Sequence, residues 1–149
     1  MLKIKKILCP TDFSEPSLKG LDYAVDMAKA FRAKLVVVYV LPILPASATN
    51  PNLHYQIPEY ERMIHKDSDE QLKAIISKRV PKSLKARPLI GHGNAAHEIV
   101  RLAEKEKADL VVIATHGHTG LHHLVVGSVA EKVVRLAHCP VLAVREPRK

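Results

Sequence analysis

Five short runs of β-branched and aliphatic residues recur along this chain of 149 residues: Ile4–Cys9, Leu35–Leu41, Ala86–Ile90, Leu110–Ala114 and Val141–Val144. Helical periodicity fills the intervals between them. Strands that alternate with helices require crossover connections, and these build a parallel sheet with helices packed on it. Runs such as Val36-Val37-Val38 are continuously apolar, as expected for strands covered on both sides. The length suits one domain that buries most of its surface and is short for two. The expectation is a single doubly wound α/β domain spanning 1–149, a five-stranded parallel sheet with helices on both faces.

The helical intervals carry start signals. Leu18, Leu21, Val25 and Ala28 form one apolar stripe, with Ser14 placed to cap it and Glu15 and Pro16 in its first turn. Tyr60, Met63 and Ile64, continued by Leu72, Ile75 and Ile76, predict a second helix of weaker pattern. Ile99, Leu102 and Ala103 mark a third. A fourth runs from Ser128 to about Ala137, with Val129, Val133, Val134 and Ala137 as its apolar face. The segment from Leu41 to Pro58 contains Pro42, Pro45, Pro51 and Pro58 and continues neither a helix nor a central strand. It follows the second strand and so emerges at the carboxyl end of the sheet, where His54 and Tyr55 could cover a ligand.

Composition excludes some functions. With no Trp, two Phe and four Tyr, the chain lacks the rings of a base-stacking platform for single strands. The formal charge of +8 favours an anionic partner, and a polyanion would need Lys3, Lys5, Lys6, the Lys78–Arg87 stretch and Arg145, Arg148 and Lys149 on one face. Solubility and solvated strand ends explain the same charge. Two cysteines make no disulfide framework, and Cys9 and Cys139 read as small buried hydrophobes. No apolar run approaches membrane-spanning length and no leader pattern opens the chain, so the expected setting is cytoplasmic.

The chemistry concentrates around Ile113-Ala114-Thr115-His116-Gly117 and, nine residues later, Gly127-Ser128-Val129-Ala130. The first ends a buried strand and the second opens a helix. Unpaired N–H groups and the helix dipole at such a junction can hold a phosphate. Pro10-Thr11-Asp12 ends the first strand. If the first and fourth strands are neighbours, Asp12 and Gly117 flank the switch-point crevice, where a carboxylate can accept from ribose hydroxyls. Asp12 could equally serve as a cap or turn former. A second segment, Gly91-His92-Gly93-Asn94-Ala95-Ala96, matches G-x-G-x-x-A. Its acidic counterpart, Asp109, begins its strand rather than ending it, the wrong end for a ribose. Gly91 and Gly93 therefore read as the turn into the third helix, with Asn94 as its cap.

In Ile7-Leu8-Cys9-Pro10-Thr11-Asp12-Phe13-Ser14 and in everything from Ala108 to Arg145 the chain resembles the universal stress protein family. The likeness is strongest in its ATP-binding subgroup, which carries G-x2-G-x9-G-[ST]. That motif falls here on Ala114, Gly117 and Gly127-Ser128, with Ala114 replacing the first glycine. The resemblance implies a Rossmann-like fold of the adenine nucleotide alpha hydrolase type and a bound adenine nucleotide, ATP with or without Mg2+. It implies that Asp12 and Val40 contact adenine or ribose and that Pro10 and Ile113 line the pocket. It assigns the phosphates to Gly117, Gly127, Ser128, Val129 and Ala130. It also implies homodimers joined through the last strand, which suits the apolar Pro140–Val144.

The site lacks the equipment of rapid phosphoryl transfer. There is no G-x4-G-K-[ST], and no Lys or Arg lies between Ala114 and Ala130 to clamp developing charge. The expectation is a nucleotide-binding regulatory module with at most slow ATP hydrolysis. The alternative is a basic interaction protein that binds nucleic acid or a protein partner without nucleotide. His116, His118, His122 and His123 could instead bind a transition metal, although no Cys or carboxylate is close in sequence. His116, nearest the strand end, could touch a phosphate and make binding pH-sensitive.

Overall fold

The computed structural model describes residues 2–43, 57–116 and 126–146. The elements run β1 (Lys6–Pro10), α1 (Glu15–Phe31), β2 (Lys34–Leu41), α2 (Ile57–Arg79), a 3-10 turn (Lys82–Leu84), β3 (Arg87–His92), α3 (Ala95–Lys105), β4 (Leu110–Ala114), α4 (Ser128–Leu136) and β5 (Val141–Val144). All five strands are parallel, in the order β3-β2-β1-β4-β5. The connections step outward from β1 to β2 to β3, and α3 then carries the chain back across the sheet to β4. Right-handed crossovers in opposite directions put helices on opposite faces.

The core follows that division. Ile7, Cys9, Leu35, Val37, Leu110 and Val112 pack with Leu21, Ala24, Val25 and Ala28 of α1 and Leu72 of α2. The alternate strand residues Leu8, Val36, Val38, Val111 and Ile113 pack with Ile99, Leu102 and Ala103 of α3 and Ala130 and Val133 of α4. Continuous apolar strands arise because both faces are covered. The fold is the doubly wound, Rossmann-like α/β architecture.

Local signals hold at the helix starts. Ser14 caps α1 by accepting from Ser17 N–H at 3.4 Å, and Asn94 caps α3 by accepting from His97 N–H at 3.2 Å. Several expected details change. β1 begins at Lys6, not Ile4, because the Asp109 carboxylate takes the N–H groups of Lys5 and Lys6 at 2.8 and 3.0 Å. Gly91 is not part of a turn. It pairs with Val40 inside the β2–β3 ladder, and a Cβ there would lie 2.7 Å from Glu98 Cγ, so glycine lets α3 pack close. Gly93 is the turn, at φ +112. Pro58 stands in the first turn of α2, where its missing N–H is harmless.

On α4 only Ala130 and Val133 are buried, whereas Val129 and Val134 are exposed, so its apolar surface extends beyond the contact with the sheet. Cys9 is fully buried, but Cys139 is only partly covered. His54 and Tyr55, the expected ligand cover, lie outside the described residues.

Candidate functional site

A cavity of about 360 Å³ opens at the carboxyl ends of the strands, at the switch point between β1 and β4. Pro10, Thr11 and Asp12 line it from β1, Val40 from β2, and Ile113, Ala114 and His116 from β4. Ser128, Val129 and Ala130, with Gly127 before them, line it from α4. Gly117 lies outside the described residues. Sequence reading missed Ser17, Tyr39, Ala95, Ile99 and Val126, which share the same walls with Thr115. Ala95 and Ile99 had a usable signal, because a returning crossover must bring the start of α3 onto the α4 side of the switch point.

The β1–α1 junction is fixed by a hydroxyl network. Ser17 O–H donates to Ser14 C=O at 2.8 Å, and the hydroxyls of Thr11 and Ser17 lie 2.9 Å apart. Since Ser17 has spent its proton, Thr11 donates in that pair, while Thr11 Oγ1 accepts from Phe13 N–H at 3.1 Å. The Asp12 carboxylate accepts from Ser14 N–H at 3.0 Å and from the Ser14 hydroxyl. Asp12 is thus a turn former as well as a wall of the cavity. This network holds Phe13 at φ 67, a conformation costing about 1–3 kcal/mol for such a residue. The Phe13 ring in turn packs on Tyr39, centroid to centroid 4.6 Å.

The β4 end explains the departure at Ala114. Its position in the strand sequence, two beyond Val112, turns its methyl toward α1. There Gly20 makes room: a Cβ at Gly20 would lie 3.4 Å from Ala114 Cβ and 3.3 Å from its N. Ala114 keeps an ordinary negative φ, so this backbone does not require glycine. The extra methyl therefore takes no space from the α3–α4 side of the crevice.

The α4 start is placed by one main-chain bond, Gly127 N–H to Thr115 C=O at 2.6 Å. This corrects the expectation for Gly127, whose amide is committed to β4 instead of facing the cavity. Glycine is needed because a Cβ at 127 would sit 2.6 Å from that same carbonyl oxygen. Helix geometry leaves the N–H groups of Ser128, Val129 and Ala130 without intrahelical partners, and these residues line the cavity. No Lys or Arg is among the described lining residues, and the ionisable side chains there are Asp12, Tyr39 and His116.

His116 Nδ1 lies 2.9 Å from Thr115 Oγ1, and its Nε2 is buried with no hydrogen-bond partner among the described residues. Thr115 and His116 also border a second hollow of about 250 Å³ against α1 and the end of β5. Among the described residues no group of His, Cys, Asp or Glu could hold a metal ion. His118, His122 and His123 lie outside the described residues.

Residues 3–145 match the universal stress protein family. The chain belongs to that family. A universal stress protein of Methanocaldococcus jannaschii is 37% identical over 145 residues, covering 97% of this chain and 84% of the relative. Universal stress protein UspA from Lactobacillus plantarum superposes with a TM-score of 0.75 at 25% identity, covering 96% of this chain and 99% of that one. A universal stress protein in complex with cAMP superposes with a TM-score of 0.61 at 26% identity, covering 95% and 97%. No helix among the described residues is long and apolar enough to cross a membrane. The Rossmann-like sheet and the residues carrying the family likeness at both ends of the chain thus agree.

Proposed function

We propose that this universal stress protein binds an adenine nucleotide, ATP with or without Mg2+, in the switch-point crevice. It acts as a regulatory module with at most slow hydrolysis. The observation that carries the reading is the pairing of an apolar-walled cavity with the amino end of α4, which has no side-chain cap among the described residues, inside one crevice. A relative of the same fold is a cAMP complex, which supports the adenine-nucleotide class. Asp12 and Val40 contact ribose and adenine, and Pro10, Thr11 and Ile113 wall the base. The amides of Ser128, Val129 and Ala130, together with Gly117, take the phosphates, and His116 reaches toward them. Ala114 and Gly127 shape the site without donating to it.

A helix terminus contributes up to about 2 kcal/mol to an anion, whereas micromolar affinity needs about 8 kcal/mol. Base burial must therefore supply a large share, which suits a cavity walled mainly by apolar side chains. The absence of any cation from the described walls argues against rapid phosphoryl transfer. The protein works as a single 1–149 domain, as a cytoplasmic homodimer joined through the open edge of β5.

Isothermal titration of nucleotide-stripped protein with ATP, AMP, cAMP and adenosine, with and without Mg2+, tests the reading. Saturable binding of at least one adenine nucleotide, weakened by Asp12→Ala, is expected. No heat with any of them overturns it.

A further inference from the structure

The end of the molecule opposite the crevice gathers most of the basic side chains. In a parallel α/β sheet all strands start at one end, and the helices between them finish there. Lys29, Lys78, Lys105 and Arg135 stand in the last turns of their helices, where a cation is favoured by the helix dipole. The dipole does not explain Lys3, Lys5, Lys34, Lys82 and Lys85, which precede or open strands or lie in the 3-10 turn. All five are exposed and make no ion pair among the described residues. The local carboxylates Glu106 and Asp109 are already engaged, Glu106 by Lys6 and Arg87, and Asp109 by the main chain of Lys5 and Lys6.

These lysines are neighbours in space. Lys34 N–H donates to Lys5 C=O at 2.9 Å, β2 and β3 run side by side from Val36 and Arg87, and the 3-10 turn packs on α1. Two large apolar side chains stand among them: Leu2, 74% exposed, and Phe31, the last residue of α1, 41% exposed. A concentration of like charge repels itself unless an anionic surface compensates it. A nucleic-acid backbone would match the lysines but leave Leu2 and Phe31 without a role. A bilayer with anionic headgroups uses both, charge against the phosphates and apolar side chains in the acyl boundary.

We propose that the strand-start end, through Lys3, Lys5, Lys34, Lys82 and Lys85 with Leu2 and Phe31, docks peripherally on anionic lipid bilayers. The crevice then faces away from the bilayer and stays open. This surface is independent of the nucleotide reading, and either can fail alone.

Co-sedimentation of the full chain with phosphatidylcholine vesicles, with and without phosphatidylglycerol, tests it at about 0.15 M salt, where exposed charges are screened beyond about 8 Å. Binding only to the phosphatidylglycerol vesicles is expected, falling as salt rises. Lys5→Glu and Lys34→Glu should each weaken it by at least about fivefold, since one basic residue near such a surface is worth about that factor. Leu2→Ser with Phe31→Ser should weaken vesicle binding by at least about tenfold while leaving retention of a duplex DNA probe unchanged. Circular dichroism checks that these surface variants fold. Absence of binding to anionic vesicles overturns the proposal. So does vesicle binding that the Leu2 and Phe31 changes leave intact, and tighter binding to duplex DNA than to vesicles would reassign the surface to nucleic acid.

Discussion

Replacing Gly127 by Ala tests the crevice most directly, because the new methyl meets main chain that cannot turn aside. The added Cβ would lie 2.6 Å from Thr115 C=O, and ordinary contact begins at 3.4 Å, so the α4 start must retreat by about 0.8 Å. The amides of Ser128, Val129 and Ala130 move with it. A hydrogen bond near 2.9 Å stretched by that amount leaves the useful range. Losing one bond to a charged acceptor removes about 1.5–3 kcal/mol, which raises Kd about 10- to 150-fold. The overpacking itself costs about 1–3 kcal/mol of stability, and each kcal/mol lowers the Tm of a domain this size by about 2–4 °C.

Ala114→Gly is the matched control. It restores the glycine of the family motif, yet the methyl it removes packs on Gly20, on the side of β4 away from α3 and α4. Stability should fall by about 0.5–1 kcal/mol, from backbone entropy and a lost contact, and nucleotide affinity should stay within about twofold. Calorimetric titration with ATP and thermal melts on both variants give the four numbers. Wild-type affinity in Gly127→Ala, or an affinity change in Ala114→Gly as large as that in Gly127→Ala, would refute the geometric reasoning.

Three further outcomes are expected. The Arg87 guanidinium, with Lys6 beside it, holds the Glu106 carboxyl below the usual carboxylate value, so its stabilisation is full above about pH 4.5 and is lost as pH falls through the lowered value. Glu106→Gln should therefore be less stable than the wild type at pH 7, by up to about 1 kcal/mol for so exposed a partner, and denaturant melts should show the gap closing in acid. Burial pushes the Cys9 thiol up to about 12, with Asp22 adding to the effect, so a thiol reagent at pH 8 should modify Cys9 only after unfolding. Partly covered Cys139, also raised by burial, should react slowly in the native protein; fast native modification of Cys9 would contradict the packing. At the edge strand, the carbonyls of Pro140 and Val144 accept from β4, so alternation turns the main chain of Val141 and Ala143 outward. Ala143→Pro removes an outward N–H without touching the β4 ladder, so on the proposed β5 homodimer light scattering should find dimers for the wild type and monomers for the variant.

Much of this fold is legible from residue pattern because its signals are local. Apolar runs, the Ser14 and Asn94 caps and the order of elements follow from short-range chemistry. The misreadings share a different origin. Gly91 looked like a turn because nothing nearby in sequence reveals that Glu98 and Leu102 crowd it from α3. Val129 and Val134 looked like core because periodicity reports a helix face, not how wide a contact the sheet offers. The amide of Gly127 looked free for a phosphate because its partner, Thr115, is twelve positions away in sequence. The departure at Ala114 has no local explanation either, because its methyl rests against Gly20, ninety-four positions earlier.

The bond between Thr115 and Gly127 also explains how the start of α4 is held against the sheet. Thr115 is itself anchored, since its N–H donates to Val144 C=O of the neighbouring strand at 3.0 Å. The carbonyl of the same residue then receives Gly127 N–H at 2.6 Å, so the first turn of α4 is tied to the sheet within one residue of its start. Sheet main chain thus places the amino end of α4, where helix geometry leaves the N–H groups of Ser128, Val129 and Ala130 without intrahelical partners beside the crevice. The same logic accounts for the lack of cations in the described walls. Amides fixed by a rigid scaffold need little reorganisation when an anion arrives and can stand in for a cationic side chain.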